Sequence, residues 1–224
     1  MASADRERWN AKWAGAEVGR PAQLLLDAAA RAELPERGWA LDVAGGNGRN
    51  ALWLAARGLT VTLADVSEVG LERAVAFARE RGLPQDALRT LQCDLEVSPP
   101  PVEQLRAPSA EGRGGWDLIV CTYYLNRALL PHLPDLLAPG GVLLIAHPTV
   151  ENLQRHEKPG RAFLLEPGEL RRLVLGGAAL DEGWELLRDV EGWTADGHHE
   201  AHLMARKAKG PAASLSGLQR GPSH

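Results

Sequence analysis

Three glycines, Gly45, Gly46 and Gly48, break the run ALDVAGGNGRN between an apolar stretch ending at Val43 and the helix-forming ALWLAARG. That order reads as strand, tight turn and helix. Glycines at such a turn let the backbone approach a ligand closely, because no side chain fills the ligand's place. Two acids accompany the turn: Asp42 just before it, and Asp65 about 20 residues beyond, the distance at which a carboxylate meets a ribose in nucleotide-binding units.

Two cofactor classes fit these residues. Gly46, Gly48 and Ala51 satisfy the G-x-G-x-x-A dinucleotide spacing, which points to an NAD(P)-dependent oxidoreductase. Asp42 points elsewhere. A pyrophosphate carries about two negative charges and is repelled by a carboxylate at the strand end, whereas the ammonium and sulfonium of S-adenosylmethionine are attracted to it. The acid favours S-adenosylmethionine, bound either by an enzyme or by a non-catalytic binding protein.

The elements that hold the turn follow from patterning. The strands read as 39–43, 60–64, 88–92, 116–121 and 142–146, most of them continuously apolar, as in a parallel sheet covered on both faces. Helices are expected at about 48–57, 67–81 and 128–137, the second capped by Ser67 with Glu68 in its first turn. A further helix from Pro21 to Leu34 precedes them, with an apolar stripe at Leu24, Leu25, Ala28 and Ala29. Four prolines and three glycines between Leu95 and Gly115 leave room only for a short helix near Val102–Arg106. After a helix at about Pro167–Val174, residues 183–191 and 198–207 read as a hairpin turning at Asp196-Gly197. The fold class is thus α/β, a Rossmann-like doubly wound sheet with helices on both faces and an antiparallel end. Residues 1–207 are expected to form one domain, with 1–38 as a helical cap, and 208–224 a disordered tail.

Composition limits the partners. The 224 residues are 45% hydrophobic and 24% charged, with net charge −4, enough for one core and without the basic footprint of a nucleic-acid binder. No apolar run has the length of a signal peptide or membrane span, so a soluble cytoplasmic monomer or homodimer is expected. Cys93 and Cys121, the only cysteines, fall near the ends of strands that are not neighbours and should be free thiols. Cys121 reads as a small buried hydrophobe.

In their order, LDVAGGNGRN, LADVS, QCDLE, WDLIVCTYYLNRALLP, LAPGGVLLIAHPT and the terminal hairpin resemble the class I S-adenosylmethionine-dependent methyltransferases over roughly residues 9–207. AGGNGRNALWLAARG, FLLEPGELRRLV and HLMARK are similar to the tellurite-resistance-type branch of bacterial methyltransferases. The resemblance implies a seven-stranded sheet whose last strand is antiparallel. It further implies that Ala44, Gly45, Gly46, Asn47 and Gly48 underlie the methionine part of the cofactor. Asp42 would lie near its amino group and Arg49 or Asn50 near its carboxylate. Asp65, followed by Val66, would take the ribose hydroxyls, a pairing that two acceptor oxygens and two donors also favour. Cys93, Asp94 and Leu95 would border the adenine, and Cys121, Thr122 and Tyr123 the sulfonium. Two departures stand out. Ala44 replaces the family's first glycine, and the hairpin reads EGWTADGHHEAH where the tellurite branch carries a His-Arg pair and another Arg. Neutral His lacks the bidentate pairing of Arg with an oxyanion, so a small-molecule acceptor of open identity is expected.

Methyl transfer is an in-line displacement in which alignment alone lowers the barrier by about 7–11 kcal/mol, so a general base is optional. His147 and Tyr124, then His156, are the candidates if the acceptor must lose a proton. Arg127, Arg161, Phe163, His156 and Trp13 are candidates for the acceptor pocket. Each has a plainer reading: Asp65 as part of a helix cap, Asp94 as a turn residue, His147 as a strand-end group, Trp9 and Trp13 as staples rather than a lid. His198 and His202 share a strand face but lie about 13 Å apart at roughly 3.3 Å per residue, so no metal site is expected.

Overall fold

The computed structural model describes residues 2–108, 114–176 and 183–209, so 210–224 of the expected tail lie outside the described residues. The elements run α1 (Ala2–Trp13), α2 (Gln23–Ala30), β1 (Gly38–Val43), α3 (Arg49–Ala56), β2 (Leu59–Asp65), α4 (Glu68–Glu80) and β3 (Leu88–Gln92). They continue with β4 (Trp116–Thr122), β5 (Leu137–Pro148), α5 (Glu169–Leu175), β6 (Trp184–Trp193) and β7 (His199–Lys207). Seven strands form one sheet in the order β3-β2-β1-β4-β5-β7-β6. Strands β1 to β5 are mutually parallel, and β7 runs antiparallel between β5 and β6.

Alternating side chains divide the core between the two faces of the sheet. Leu41, Val43, Ile119, Cys121, Leu143 and Ile145 pack with Leu129, Leu133 and Leu170 on one face. Ala40, Val61, Leu63, Leu118, Val120 and Leu144 pack with residues of α2, α3 and α4 on the other. Both faces are covered, which is why the strands read as continuous apolar runs. The strand order reverses between β1 and β4, and the loops leaving these two strands flank the crevice where open α/β sheets bind ligands.

Several boundaries differ from the sequence expectation. The first predicted helix is only Gln23–Ala30: Ala32 turns left-handed at φ 56° and the Glu33 N–H donates to the Ala28 carbonyl at 3.0 Å, a helix stop built without glycine. The helix predicted over 128–137 is a 3-10 segment, Leu130–Leu136, because Pro131 and Pro134 lack the N–H groups an α-helix needs. Strand β5 starts at Leu137 rather than 142, running through Pro139-Gly140-Gly141 with its register on β4 shifted between Trp116 and Leu118. The crossover from β3 to β4 holds only the 3-10 segment Val102–Leu105, which Trp116 Nε1 anchors by donating to the Leu105 carbonyl at 2.7 Å. Residues 109–113 of it lie outside the described residues.

Ser67 caps α4 as the pattern required. Its hydroxyl accepts from the Gly70 N–H at 3.0 Å and donates to Asn10 Oδ1 of α1 at 2.6 Å. Ser67→Ala is expected to lower stability by about 1 kcal/mol, the usual worth of such a cap, and to loosen α1; the urea midpoint measures the first effect.

Candidate functional site

The glycine turn is packed tightly from below and above. Ala44, Gly46 and Gly48 have φ of 53°, 60° and 84°, so Ala44 carries the cost of a left-handed alanine, about 1–2 kcal/mol. A Cβ on Gly45 would lie 2.3 Å from Leu63 Cδ1 and 2.5 Å from Asp42 Oδ2; on Gly46 it would lie 2.4 Å from Trp13 Cζ2. Gly45 therefore lets a carboxylate underlie the turn, and Gly46 lets an indole cover it.

Asp42 is fully buried beneath this turn. Its Oδ2 accepts from the Ala51 N–H at 3.0 Å, while Oδ1 meets no donor in hydrogen-bonding geometry among the described residues. Burial pushes its pKa up to about 7, with Asp65 adding to the rise and the Ala51 N–H, Arg49 and the nearby Asn50 amide opposing it. Asp65 ends β2 and grips the turn from the side: Oδ2 accepts from the Gly46 N–H at 2.8 Å and Oδ1 from the Ser67 N–H at 2.9 Å. Burial raises its pKa too, against the pull of these N–H groups and of Lys12. A carboxylate offers about four lone-pair sites, so these N–H groups, with that of Val66 nearby, do not exhaust it.

The neighbouring positions have well-defined partners. Val66, next to Asp65, offers its carbonyl to Gln92 Nε2 at 3.4 Å. The Cys93 N–H donates to the Asp65 carbonyl at 2.9 Å, and its thiol is pushed up by burial and then by Asp94. Asp94 Oδ1 accepts from the Glu96 N–H at 2.9 Å, closing a turn, and the Leu95 carbonyl accepts from Asn126 Nδ2 at 2.8 Å. Across the crevice, Thr122 Oγ1 accepts from Asn50 Nδ2 at 3.0 Å and Arg49 Nη2 at 3.4 Å. Asn50 Oδ1 is taken by the Ala22 N–H at 2.9 Å, and Asn47 Nδ2 by the Glu17 carbonyl at 3.0 Å. Cys121 is fully buried, its thiol raised by desolvation and then by Asp42. The Arg49 guanidinium lies 4.9 Å from the centre of the Tyr123 ring.

Helix α1 and the segment after it close over the turn. Trp9 and Trp13 stack at 6.1 Å, and Lys12 Nζ lies 4.4 and 4.6 Å from their ring centres. Lys12 has its pKa lowered by desolvation and then by Arg49, while Asp65 favours its charge. Arg73 Nε and Nη2 bind the Ala16 carbonyl at 3.0 and 2.8 Å. Asn10 and Lys12 were invisible as site residues in the sequence, because their partners lie some 50 residues away.

The acceptor-side candidates separate into distinct environments. His147, at the end of β5 and 6% exposed, donates from Nε2 to the Phe163 carbonyl at 2.9 Å; burial lowers its pKa, and its buried Nδ1 has no partner among the described residues. Tyr124 donates to Glu96 at 2.7 Å. Arg127 holds Glu169 through two contacts, at 2.5 and 3.1 Å, and binds the carbonyls of Ala162 and Leu164 at 3.0 and 2.9 Å, so its guanidinium pins the 161–165 segment. Arg161 pairs with Glu166, Phe163 is strongly exposed, and His156 bonds the Gly197 carbonyl at 3.0 Å and stacks on His198 at 4.7 Å. His199 bonds Thr149 and His202 bonds Glu200, so the three histidines of the hairpin point to three different partners. A cleft of about 730 Å³, lined by Glu33, Asp117, Gly140, Trp184 and Arg206, lies at the opposite end of the strands, where β4 and β5 begin. Among the described residues no helix is long and apolar enough to cross a membrane.

A family model described as a methyltransferase domain matches residues 13–194. Among curated proteins no relative of significant similarity is found. The chain is similar to a structure solved for the conversion of a disulfide bond into a thioacetal group during echinomycin biosynthesis, at 18% identity, covering 93% of this chain and 94% of that one, with TM-score 0.63. Magnesium protoporphyrin IX methyltransferase from Synechocystis PCC 6803, solved with bound SAH, is 18% identical over 92% of this chain and 99% of its own, with TM-score 0.61. TehB from Haemophilus influenzae is 20% identical over 82% of this chain and 61% of its own, with TM-score 0.58. At these identities the likeness is one of fold.

Proposed function

We propose that this chain, which belongs to the methyltransferase-domain family, takes S-adenosylmethionine as methyl donor at the glycine turn and methylates a small-molecule acceptor. The family sets aside the NAD(P)-dependent reading. The observation that carries the cofactor assignment is the pair of buried carboxylates at the turn, one of them with an oxygen that no donor meets in hydrogen-bonding geometry among the described residues. A buried acid without a full set of partners costs stability, and a cationic ligand is what relieves it. The residues fit the group: backbone without side chains at Gly45 and Gly46, a negative field from Asp42, and free lone pairs on Asp65.

When bound, the cofactor supplies an electrophilic methyl carbon on a sulfonium. Asp42 favours that cation through the turn rather than by exposure, since it is covered by the turn's backbone. Asp65 is the ribose acceptor, Val66 follows it, and the loop Cys93–Leu95 borders the adenine. Arg49 serves the carboxylate end, with Asn50 holding Thr122 in place. Trp13 covers the site and excludes water. We read residues 1–207 as one cytoplasmic methyltransferase domain, monomeric or dimeric, acting on neither nucleic acid nor membrane.

The test is a crystal structure grown with S-adenosylhomocysteine. The expected density lies between Gly46, Asp65 and Asp94; density at any other edge of the sheet overturns the assignment.

A further inference from the structure

Three residues near the crevice form a hydrogen-bonded chain that the donor site does not use. Tyr123 directly follows β4, and its hydroxyl donates to Glu200 Oε1 at 2.7 Å; Glu200 Oε2 meets His202 Nε2 at 2.8 Å. Tyr123 has φ 60°, a left-handed conformation that costs a bulky residue of order 1 kcal/mol or more, and its N–H is held by the Ala146 carbonyl at 2.8 Å. Strain of that kind persists where the surroundings impose it. Tyr123 is 45% exposed, while Glu200 is 5% exposed.

A buried glutamate on β7 needs a reason. It shares a face of β7 with His202 and the fully buried Met204, where a carboxylate costs more to bury than an apolar side chain. Desolvation acts against its charge, yet the bonds from His202 and Tyr123 more than offset this, so its pKa lies below the usual carboxylate value despite Asp196 nearby. The rival bases are worse placed. His147 is sealed under the Phe163 carbonyl, and the carboxylate that Tyr124 meets, Glu96, is exposed, whereas Glu200 is buried and backed by His202.

We propose that Tyr123, Glu200 and His202 form a proton conduit at the acceptor side of the crevice, which makes the acceptor a neutral hydroxyl compound, an alcohol or phenol. The inference rests on the methyltransferase reading. Thiols ionise near pH 8.5, neutral amines already carry a lone pair, and oxyanions have no proton to lose; a hydroxyl with pKa near 10 or above needs a base most. As the acceptor oxygen forms its bond to the donor methyl carbon, the carbon–sulfur electron pair returns to sulfur. The acceptor's proton passes to the Tyr123 oxygen while Tyr123's own proton moves to Glu200 Oε1. Glu200 is left as a neutral acid and returns the proton to solvent by way of His202. Tyr123 is the catalytic residue. Glu200 and His202 act through it, with Arg49 over its ring and Asp196 near Glu200 as the other charged groups that face the chain.

The test exploits a sequence with only two tyrosines. In Tyr124→Phe protein, Tyr123 is the sole phenol, and its ionisation is read by ultraviolet difference absorbance. Its midpoint is expected well above the free-phenol value of about 10 and should fall toward 10 when Glu200→Gln is added. Equal midpoints overturn the link. With radiolabelled donor and catechol as the probe acceptor, Tyr123→Phe is expected to slow methylation about 100-fold or more, and Glu200→Gln to flatten the pH profile. A Tyr123→Phe rate equal to that of the wild type overturns the conduit. Titration of S-adenosylhomocysteine into wild type separates the two failures: no binding condemns the methyltransferase reading, whereas binding without the phenol shift condemns only the conduit.

Discussion

Asp42→Asn is expected to make the folded chain more stable at pH 8 while weakening its hold on S-adenosylmethionine at least tenfold. The native pKa of about 7 lies some three units above the ordinary aspartate value. Between about pH 4 and pH 7 the folded state therefore binds a proton that the unfolded chain has lost. Stability falls as pH rises through that window, by about 4 kcal/mol in all, and stays low above it. Asparagine removes this slope and keeps an acceptor for the Ala51 N–H. Its amide nitrogen takes the place of an oxygen with no donor, and an unsatisfied buried group costs about 1–3 kcal/mol, so the net gain at pH 8 is roughly 1–3 kcal/mol. Thermal melts of both proteins from pH 5 to 8 check it, and a wild-type curve that does not decline with pH contradicts it. The binding half has the same origin. Wild-type affinity for the cationic donor should fall between pH 8 and pH 6 as Asp42 takes up its proton, while affinity for the uncharged sulfur of the demethylated product changes less.

Asp65→Ala carries the second large effect. The carboxylate supports the N–H groups of Gly46 and Ser67, so its loss leaves two buried donors without partners next to the turn and at the start of α4. Each costs about 1–3 kcal/mol, against which relief from burying the charge returns part. A net destabilisation of about 2–3 kcal/mol is expected. Loss of two charge-assisted bonds to the ribose should cost cofactor affinity about 100-fold or more. Asp65→Asn, which keeps one acceptor oxygen, should recover stability more than affinity. If both variants bind the cofactor like wild type, Asp65 is a helix-capping residue and nothing more.

The parts of the site that depend on neighbours in sequence are legible in the sequence alone. The glycine turn, the Ser67 cap and the hairpin at Asp196-Gly197 each rest on local conformational preference, and each is present. The two-faced core followed from continuous apolar strands in the same way. Proline and glycine misled where tertiary contacts overrode them. Pro139-Gly140-Gly141 lies outside the strand expected at 142–146 yet belongs to β5, and Ala32 ends a helix in a conformation usually given to glycine. Contacts of long separation were not legible at all. Nothing in RWNAKW says that Asn10 meets Ser67 or that Trp13 lies on Gly46. Arg127 reads as a free cation for an acceptor pocket, but Glu169 lies 42 residues away and occupies it. Glu200 left little signal: it stands between His199 and Ala201, and the histidines around it draw a metal reading instead.

Calorimetric titration at pH 8 decides whether the turn beneath Trp13 holds S-adenosylmethionine. Saturable one-site binding is expected, with a Kd in the micromolar range, about −8 kcal/mol, lost in Asp65→Ala and absent when NADH replaces the donor. No heat from S-adenosylmethionine up to about millimolar concentration, or undiminished binding by Asp65→Ala, would contradict it.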